Sequence, residues 1–500
     1  MTEDINIRIS QEKINSETIR VPKDEDNKII KYENGEDNNK NNRKISNETG
    51  LERSKENQVS NDTISNANNQ TNQDGPLGSI WGAIFAMTSL SIGTGCLTFT
   101  KKVIEFGFVW FGVVLIIGGF ATYWTLSGLI RSAIKKGDSE YSSIVRNEIG
   151  KFPAVLVDVM TCLYSWGLII TYEIIMNSLV GRVIYVFFQN KETYPSFSNY
   201  EEEEWNTLKI RAIVLGSINL ILIILCLVKD IGRMKIFNIF GIAALFYTII
   251  VLVAESPLYW KHYLNNVYKK EDKSTHANWI DISRSFNPNL DFFTGFATIV
   301  FSFSNHQGAL PVYRSVNTKD ESIMNKVFRR SIVLDLIIYF LIYIASFLTA
   351  PLKSEDLIIF RESIFDNDIF MNLAKISIFL ELFFLIPSNY NSFRCSLFHI
   401  LFGNENVRTI PNIILTASTL IISALIGVFY SEISNYISLL GGFCCTTYCY
   451  FVPGWLMIKV EWEEMSKTKR ILSIIGIAIL TIFGYIGGIM SVIICFRGRV

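Results

Sequence analysis

From residue 78 onward, apolar residues run in blocks separated by polar stretches. A helix that crosses a bilayer needs roughly 20 mostly apolar residues. Eleven blocks approach or exceed that length: residues 78–103, 106–132, 154–187, 210–228, 234–254, 291–313, 331–350, 369–388, 410–430, 434–458 and 471–495. The third is long enough to tilt or protrude. The pattern predicts an all-α integral membrane protein with its transmembrane part over residues 77–498.

Residues 1–76 form a different polymer, rich in Asn, Glu and Lys and nearly free of aromatics. Such a segment buries too little apolar surface to offset the entropy of ordering, so it is predicted to be a disordered, low-complexity cytosolic tail. It lacks the apolar core of a signal peptide. Its sequons at Asn47, Asn61 and Asn69 would go unused in the cytosol.

Basic residues orient the blocks. With the N-terminus in the cytosol, Arg131, Lys135, Lys136, Arg146 and Lys151 share the cytosolic side with Arg314, Lys319, Lys326, Arg329 and Arg330, and with Lys459, Lys467, Lys469 and Arg470. The opposite loops carry EEEEW at 201–205 and Asp356, Glu362, Asp366 and Asp368. This satisfies the positive-inside rule and places Val500 outside or in a lumen. The choice between a plasma membrane and a vacuolar or lysosomal one stays open, as does oligomeric state. The net charge of +0 gives no pull toward nucleic acid.

Two blocks break the apolar rule. The first contains MTSLSIGTGCLTF, residues 87–99, where Gly93 and Gly95 flank Thr94 in mid-span. The sixth ends in VFSFSNHQGALPVY, residues 300–313, with Ser302, Ser304, Asn305, His306 and Gln307 followed by Gly308 and Pro311. Transporters built from two inverted five-helix repeats unwind their first and sixth helices at the substrate site. The repeats would then cover about 78–254 and 291–458, with an eleventh helix at 471–495. Unwound backbone is tolerated at membrane depth only against protein or a watery cavity. Its free N–H groups suit a carboxylate and its free carbonyls an ammonium or cation, the two ends of an amino acid. The predicted substrate contacts are Ser91, Ile92, Gly93, Thr94, Gly95, Phe303, Ser304, Asn305 and His306.

Ionisable residues inside spans are costly and point to function. Glu173 in IITYEIIMN and Glu381 in ISIFLELFFLIP are candidates for coupling transport to a proton or for binding an amino group. The alternative is a carboxyl that is protonated, or paired with a neighbouring Tyr or Lys, and only structural. His306 is a third coupling candidate, because an unperturbed imidazole titrates near pH 6.5; the alternative is a hydrogen-bonding partner fixed in one tautomer. Glu105 and Asp158, near span ends, read as solvated. Gly484 and Gly488 read as a close helix-packing device. No zinc-like Cys/His spacing, H-E-x-x-H, G-x-S-x-G or Walker motif occurs, which argues against an enzyme or a nucleotide-driven pump.

Short motifs add a resemblance. Ile92-Gly93-Thr94-Gly95-Cys96-Leu97 is similar to an I-G-x-G-x-L pattern, and Phe303, His306, Leu310, Pro311, Val312 and Tyr313 to F-x-x-H-x-x-x-L-P-[IV]-Y. Gly442, Phe451, Val452 and Pro453, and Pro387 with Arg394, are similar to patterns in the tenth and eighth helices. The chain resembles, in this order over residues 77 to about 498, the amino acid/auxin permease family of vacuolar, vesicular and neutral amino acid transporters. The resemblance implies an eleven-helix, LeuT-like inverted-repeat fold and a secondary transporter of amino acids working by alternating access, without a cofactor. A receptor that senses amino acids on the same scaffold is the alternative. Thr100 stands where many relatives have Pro or a small residue. Ala86 and Ser89 stand where sodium-coupled relatives often have Asn; losing those amide oxygens favours proton-coupled or facilitated transport over sodium symport.

Overall fold

The computed structural model describes residues 79–189, 202–227, 234–262, 291–316, 320–349, 355–361, 363–365, 368–402, 409–430 and 432–497. The expected tail with its sequons, Val500, the start of the 201–205 acidic run, Lys319, Glu362 and Asp366 lie outside the described residues.

The described residues are helical, with no strand among them. The first apolar block forms three consecutive helices, α1 (Ile80–Ser91), α2 (Thr94–Leu97) and α3 (Phe99–Phe106). Then come α4 (Phe108–Lys136), α5 (Tyr141–Glu148), α6 (Lys151–Gln189), α7 (Glu202–Leu227) and α8 (Met234–His262). The sixth block is split into α9 (Asp291–Ser302) and α10 (His306–Ser315). It is followed by α11 (Glu321–Thr349), a 3-10 turn (Ile358–Phe360), α12 (Ile369–Phe402) and α13 (Thr409–Phe429). The tenth block is α14 (Ile433–Leu440), a π-helical stretch (Gly441–Phe451) and α15 (Val452–Val460); α16 (Lys467–Arg497) is last.

Among the described residues nine helical stretches are long and apolar enough to cross a membrane. The first and sixth blocks are not among them, because their helices are interrupted. The chain is therefore a multi-pass integral membrane protein, and its apolar surface follows from that. On α4, Val109, Val113, Ile116, Ile117 and Phe120 are exposed while Leu115, Thr122 and Leu129 are buried. A helix that is apolar all round but exposed along one stripe faces lipid.

Helix pairs in lipid associate through close packing rather than through the hydrophobic effect, so small residues mark their seams. The Gly484 and Gly488 pair behaves as expected. A Cβ on Gly442 would lie 2.3 Å from the Gly488 nitrogen and 2.8 Å from the Gly484 oxygen. One turn along, a Cβ on Gly487 would lie 2.2 Å from the Phe293 oxygen, so α16 also presses directly on α9.

Ion pairs gather at the two ends of the bundle. At the end where α4 stops and α6 starts, Arg131 pairs with Glu461 and Glu321, Lys135 with Glu464 and Lys136 with Glu148. Asp158 meets His399 at 3.2 Å at this end, rather than standing free in water. At the other end Lys101 pairs with Asp356 at 2.9 Å, Arg182 with Glu355 at 3.1 Å, and Arg361 with Glu255. Glu105 is likewise engaged: it takes the fully buried Lys102 ammonium at 2.8 Å, and that ammonium also donates to Thr294 on α9.

Candidate functional site

Both interruptions expected from the glycine and polar content occur, and they lie side by side. Helix α1 ends at Ser91, and the chain runs extended through Ile92 (φ −76°, ψ 107°) and Gly93 (φ −152°, ψ −157°) before α2 begins. Helix α9 ends at Ser302, and Phe303, Ser304 and Asn305 form a tight non-helical link to α10. Within it Ser304 N–H donates to the Phe301 carbonyl and Asn305 N–H to that of Phe303. The break thus precedes Gly308 and Pro311, which both sit inside α10. Gly308 instead provides room for α1: a Cβ there would lie 2.0 Å from Leu90 Cδ1.

The glycines of the first break also act through space rather than through unusual backbone angles, since neither has a positive φ. A Cβ on Gly95 would strike Phe301 and Ser302 side-chain atoms at 2.7 Å, so Gly95 lets α9 approach. A Cβ on Gly93 would meet nothing within 4 Å, because Gly93 borders open space.

That space is a cavity of about 440 Å³. Its wall includes Ser91, Ile92, Gly93, Thr94 and Gly95 from the first break, and Ser304 and Asn305 from the second. Tyr164, Leu168 and Tyr172 of α6, Gly241 of α8 and Glu381 of α12 complete its middle. Gln307 and Pro311 of α10 and Ser388, Asn389 and Ser392 of α12 extend it toward the end where α4 stops. At the opposite end of the bundle Leu357, Ile358 and Ile359 are fully buried, and the Arg182 guanidinium stacks on Phe360 with 4.5 Å to the ring centroid.

Direct hydrogen bonds join the two breaks. Asn305 Nδ2 donates to Ser91 Oγ at 2.9 Å. From α11, the Tyr339 hydroxyl reaches the carbonyls of both Ser91, at 2.7 Å, and Ser302. Tyr164 Oη and Ser304 Oγ are 2.7 Å apart, tying α6 to the second break. Carbonyls released where a helix ends need such partners when no water reaches them.

Three expected site residues lie outside the cavity wall. Phe303 is fully buried behind it, its ring edge-on to Tyr339 at 5.1 Å. His306 points to α4, with Nε2 2.9 Å from Thr125 Oγ1 and its ring edge-on to Tyr450. Glu173 is fully buried with both oxygens lacking a hydrogen bond, beside the Asn219 side chain of α7. Glu381 does border the cavity, packed against Gly241, with one oxygen buried and unbonded. Among the lining residues it is the single carboxylate, and no Lys or Arg accompanies it.

Sequence reasoning missed Tyr164 and Tyr172. Their i, i+4, i+8 spacing with Leu168 was visible, but it is also the spacing of an ordinary packing face. It also missed Tyr339 and Asp335 on α11, although an aspartate inside an apolar block is a signal of its own.

The family described as transmembrane amino acid transporter protein matches residues 77–496. The chain is similar to the sodium-coupled neutral amino acid transporter 7 of Danio rerio, with 23% identity over 81% of this chain and 85% of the relative. It is similar to a putative amino acid transporter, AAT1, of Plasmodium berghei, with 22% identity over 81% of this chain and 69% of that one. Among solved structures it is similar to MhsT in complex with L-phenylalanine, at 13% identity, over 84% of this chain and 98% of that one, with a TM-score of 0.49.

Proposed function

We propose, for a chain that belongs to the transmembrane amino acid transporter family and moves amino acids across a membrane, that the cavity between the two breaks holds one neutral amino acid. The observation that carries this is the make-up of the wall: unwound backbone at Ile92–Gly93, the carboxyl of Glu381, and no Lys or Arg. A zwitterion needs donors for its carboxylate and an acceptor for its ammonium; backbone N–H groups and Glu381 supply these. A charged substrate side chain would find no ionic partner, whereas Tyr164, Leu168 and Tyr172 suit an uncharged one.

With the N-terminus in the cytosol, as the basic residues argue, the cavity opens inward and the end sealed by Leu357–Phe360 faces out. The protein then rests in an inward-facing arrangement of the alternating-access cycle, with residues 77–498 as the transporting unit. For the coupling ion, we favour sodium. The expected preference for a proton rested on missing amides at Ala86 and Ser89, and several relatives are described as sodium-coupled. No feature among the described residues favours a sensing receptor.

The test is uptake of a panel of labelled amino acids into proteoliposomes, with sodium or pH gradients imposed separately. Saturable uptake of neutral amino acids that follows the sodium gradient is the expected result. Uptake restricted to charged amino acids would refute the assignment of the cavity; uptake that follows only the pH gradient would refute sodium coupling.

A further inference from the structure

One charged patch at the end where α4 stops is not used by the cavity. Several basic residues there have partners: Arg131, Lys135 and Lys136 pair with carboxylates, and Arg314 donates to the Ser139 carbonyl. Lys326, Arg329 and Arg330 of α11 are exposed, and no carboxylate among the described residues pairs with them. The acids that open α11 are already engaged. Asp320 Oδ1 accepts from the Ser322 N–H at 2.9 Å, and Glu321 pairs with Arg131. The Arg330 guanidinium instead lies over the Trp81 ring of α1, 5.6 Å from its centroid, and Trp81 and Phe85 are both exposed.

The same face of α11 continues into the lipid. Lys326 and Arg330 stand in line with Val333, Ile337, Leu341 and Ile344, at steps of three and four, and all six are exposed. Along this stripe runs a shallow groove of about 400 Å³, lined by Val333, Leu336, Ile337, Phe340, Leu341 and Ile344. From Val333 to Ile344 the helix rises about 17 Å, close to half of a hydrocarbon core roughly 30 Å thick. The groove is therefore one leaflet deep. Its cations then stand at the level of the headgroups, where a Trp such as Trp81 also belongs. The positive-inside bias accounts for cations at this end, but not for their register with an apolar groove of this length.

We infer that this face of α11, with Trp81 of α1, binds one anionic phospholipid. The lipid belongs to the leaflet at this end, the cytosolic leaflet in the orientation proposed above. Its phosphate and acidic headgroup meet Lys326, Arg329 and Arg330, and one acyl chain lies in the groove. A guanidinium offers paired donors that match phosphate oxygens. A zwitterionic lipid brings its own ammonium into the same three cations and is disfavoured, whereas a net negative one gains from each of them. Trp81 orients Arg330 through the attraction of a cation for a ring face. Helix α1 runs from Trp81 to Ser89, Leu90 and Ser91 at the cavity. The lipid therefore bears on the arm that carries the first break. The inference goes beyond the reading of the cavity, and its test needs no amino acid.

The experiment titrates the purified full-length protein in detergent with phosphatidylglycerol or phosphatidylcholine of the same acyl chains and counts retained lipids by native mass spectrometry. Wild type is expected to retain one phosphatidylglycerol at concentrations where phosphatidylcholine is lost. Each basic residue near an acidic headgroup is worth about fivefold in affinity. The double variant Arg329→Gln with Arg330→Gln is therefore expected to bind phosphatidylglycerol about tenfold or more weakly and phosphatidylcholine as before. Lys326→Gln, expected to lose about fivefold, carries the test if the double variant is not recovered folded. Ile337→Trp fills the groove and is expected to weaken both lipids. Lys467→Gln with Lys469→Gln removes two exposed cations at the start of α16 and is expected to change neither. Equal retention of the two lipids by wild type, or unchanged phosphatidylglycerol binding in the α11 charge variants, would overturn the site. An equal loss in the α16 variant would also overturn it, because the attraction would then be diffuse.

Discussion

The Asn305 amide donates to the Ser91 hydroxyl at 2.9 Å, so two helices from opposite halves of the chain are fastened at their interruptions. Neither residue would stand in an intact helix with its backbone free. Each break exposes polar groups, and part of that cost is offset by the other break. Tyr339 repeats the arrangement at the level of the carbonyls.

This link predicts a separation of stability from transport. Asn305→Ala removes one buried hydrogen bond, a loss of about 1 kcal/mol. The protein is expected to remain folded, with a slightly lower unfolding temperature. Uptake should fall by about tenfold or more, because the substrate meets a misaligned wall. Proteoliposome uptake alongside thermal unfolding checks both parts; equal losses in both would mean that Asn305 is only structural.

The two glycines of the first break should behave differently. Gly95→Ala forces a methyl against Phe301 and Ser302, an overpacking cost of about 2 kcal/mol. Folded yield is expected to drop. Gly93→Ala meets open space and should fold normally while reducing uptake, and Gly93→Leu should fold yet abolish uptake by filling the cavity. Monodispersity in size-exclusion chromatography and uptake distinguish these outcomes.

The two buried glutamates form a further contrast. Glu381→Gln keeps the shape but removes the one carboxyl group in the cavity wall, and should weaken neutral amino acid binding about tenfold or more. Glu173→Gln, away from the cavity, is expected to leave substrate affinity within about threefold of wild type. Equilibrium binding of labelled substrate to each variant decides this. A larger loss for Glu173→Gln would move the functional carboxylate to the α6–α7 contact.

At the closed end, Lys101 and Asp356 are each about a quarter exposed, at 24% and 23%. Such a pair contributes about 0.5 kcal/mol. Lys101→Ala should therefore change the uptake rate by no more than about threefold. The exchanged pair, Lys101→Asp with Asp356→Lys, should restore it. A complete loss in Lys101→Ala that the exchange does not rescue would show that Lys101 acts on something other than this latch.

Much of the architecture could be read from the chain because its signals are one-dimensional. Block length marked the spans, and Gly93, Gly95 and the polar run at 302–307 marked the two places where a helix fails. What faces what is a different kind of information. Phe303 and His306 belong to the same polar run as Ser304 and Asn305, yet a one-residue change of direction turns them behind the wall. Glu105 and Asp158 read as solvated because they lie near span ends; their partners Lys102 and His399 become apparent only on folding. The π-helical stretch at Gly441–Phe451 was not legible either. Within it Gly442 meets α16, a contact with residues more than forty positions away.

The glycine seam of α16 has a mechanical consequence. With Gly487 against the Phe293 carbonyl and Gly488 against Gly442, α16 packs backbone to backbone on α9 and the π-helical stretch, and the three are expected to move as one body. Any swing of α10 must then be taken up by the three residues between Ser302 and His306 and not by the whole sixth span. In an alternating-access cycle the span would work as a fixed post carrying a short lever, with its pivot at the residues that border the cavity. Stiffening that pivot would stall the cycle without changing what the cavity can hold.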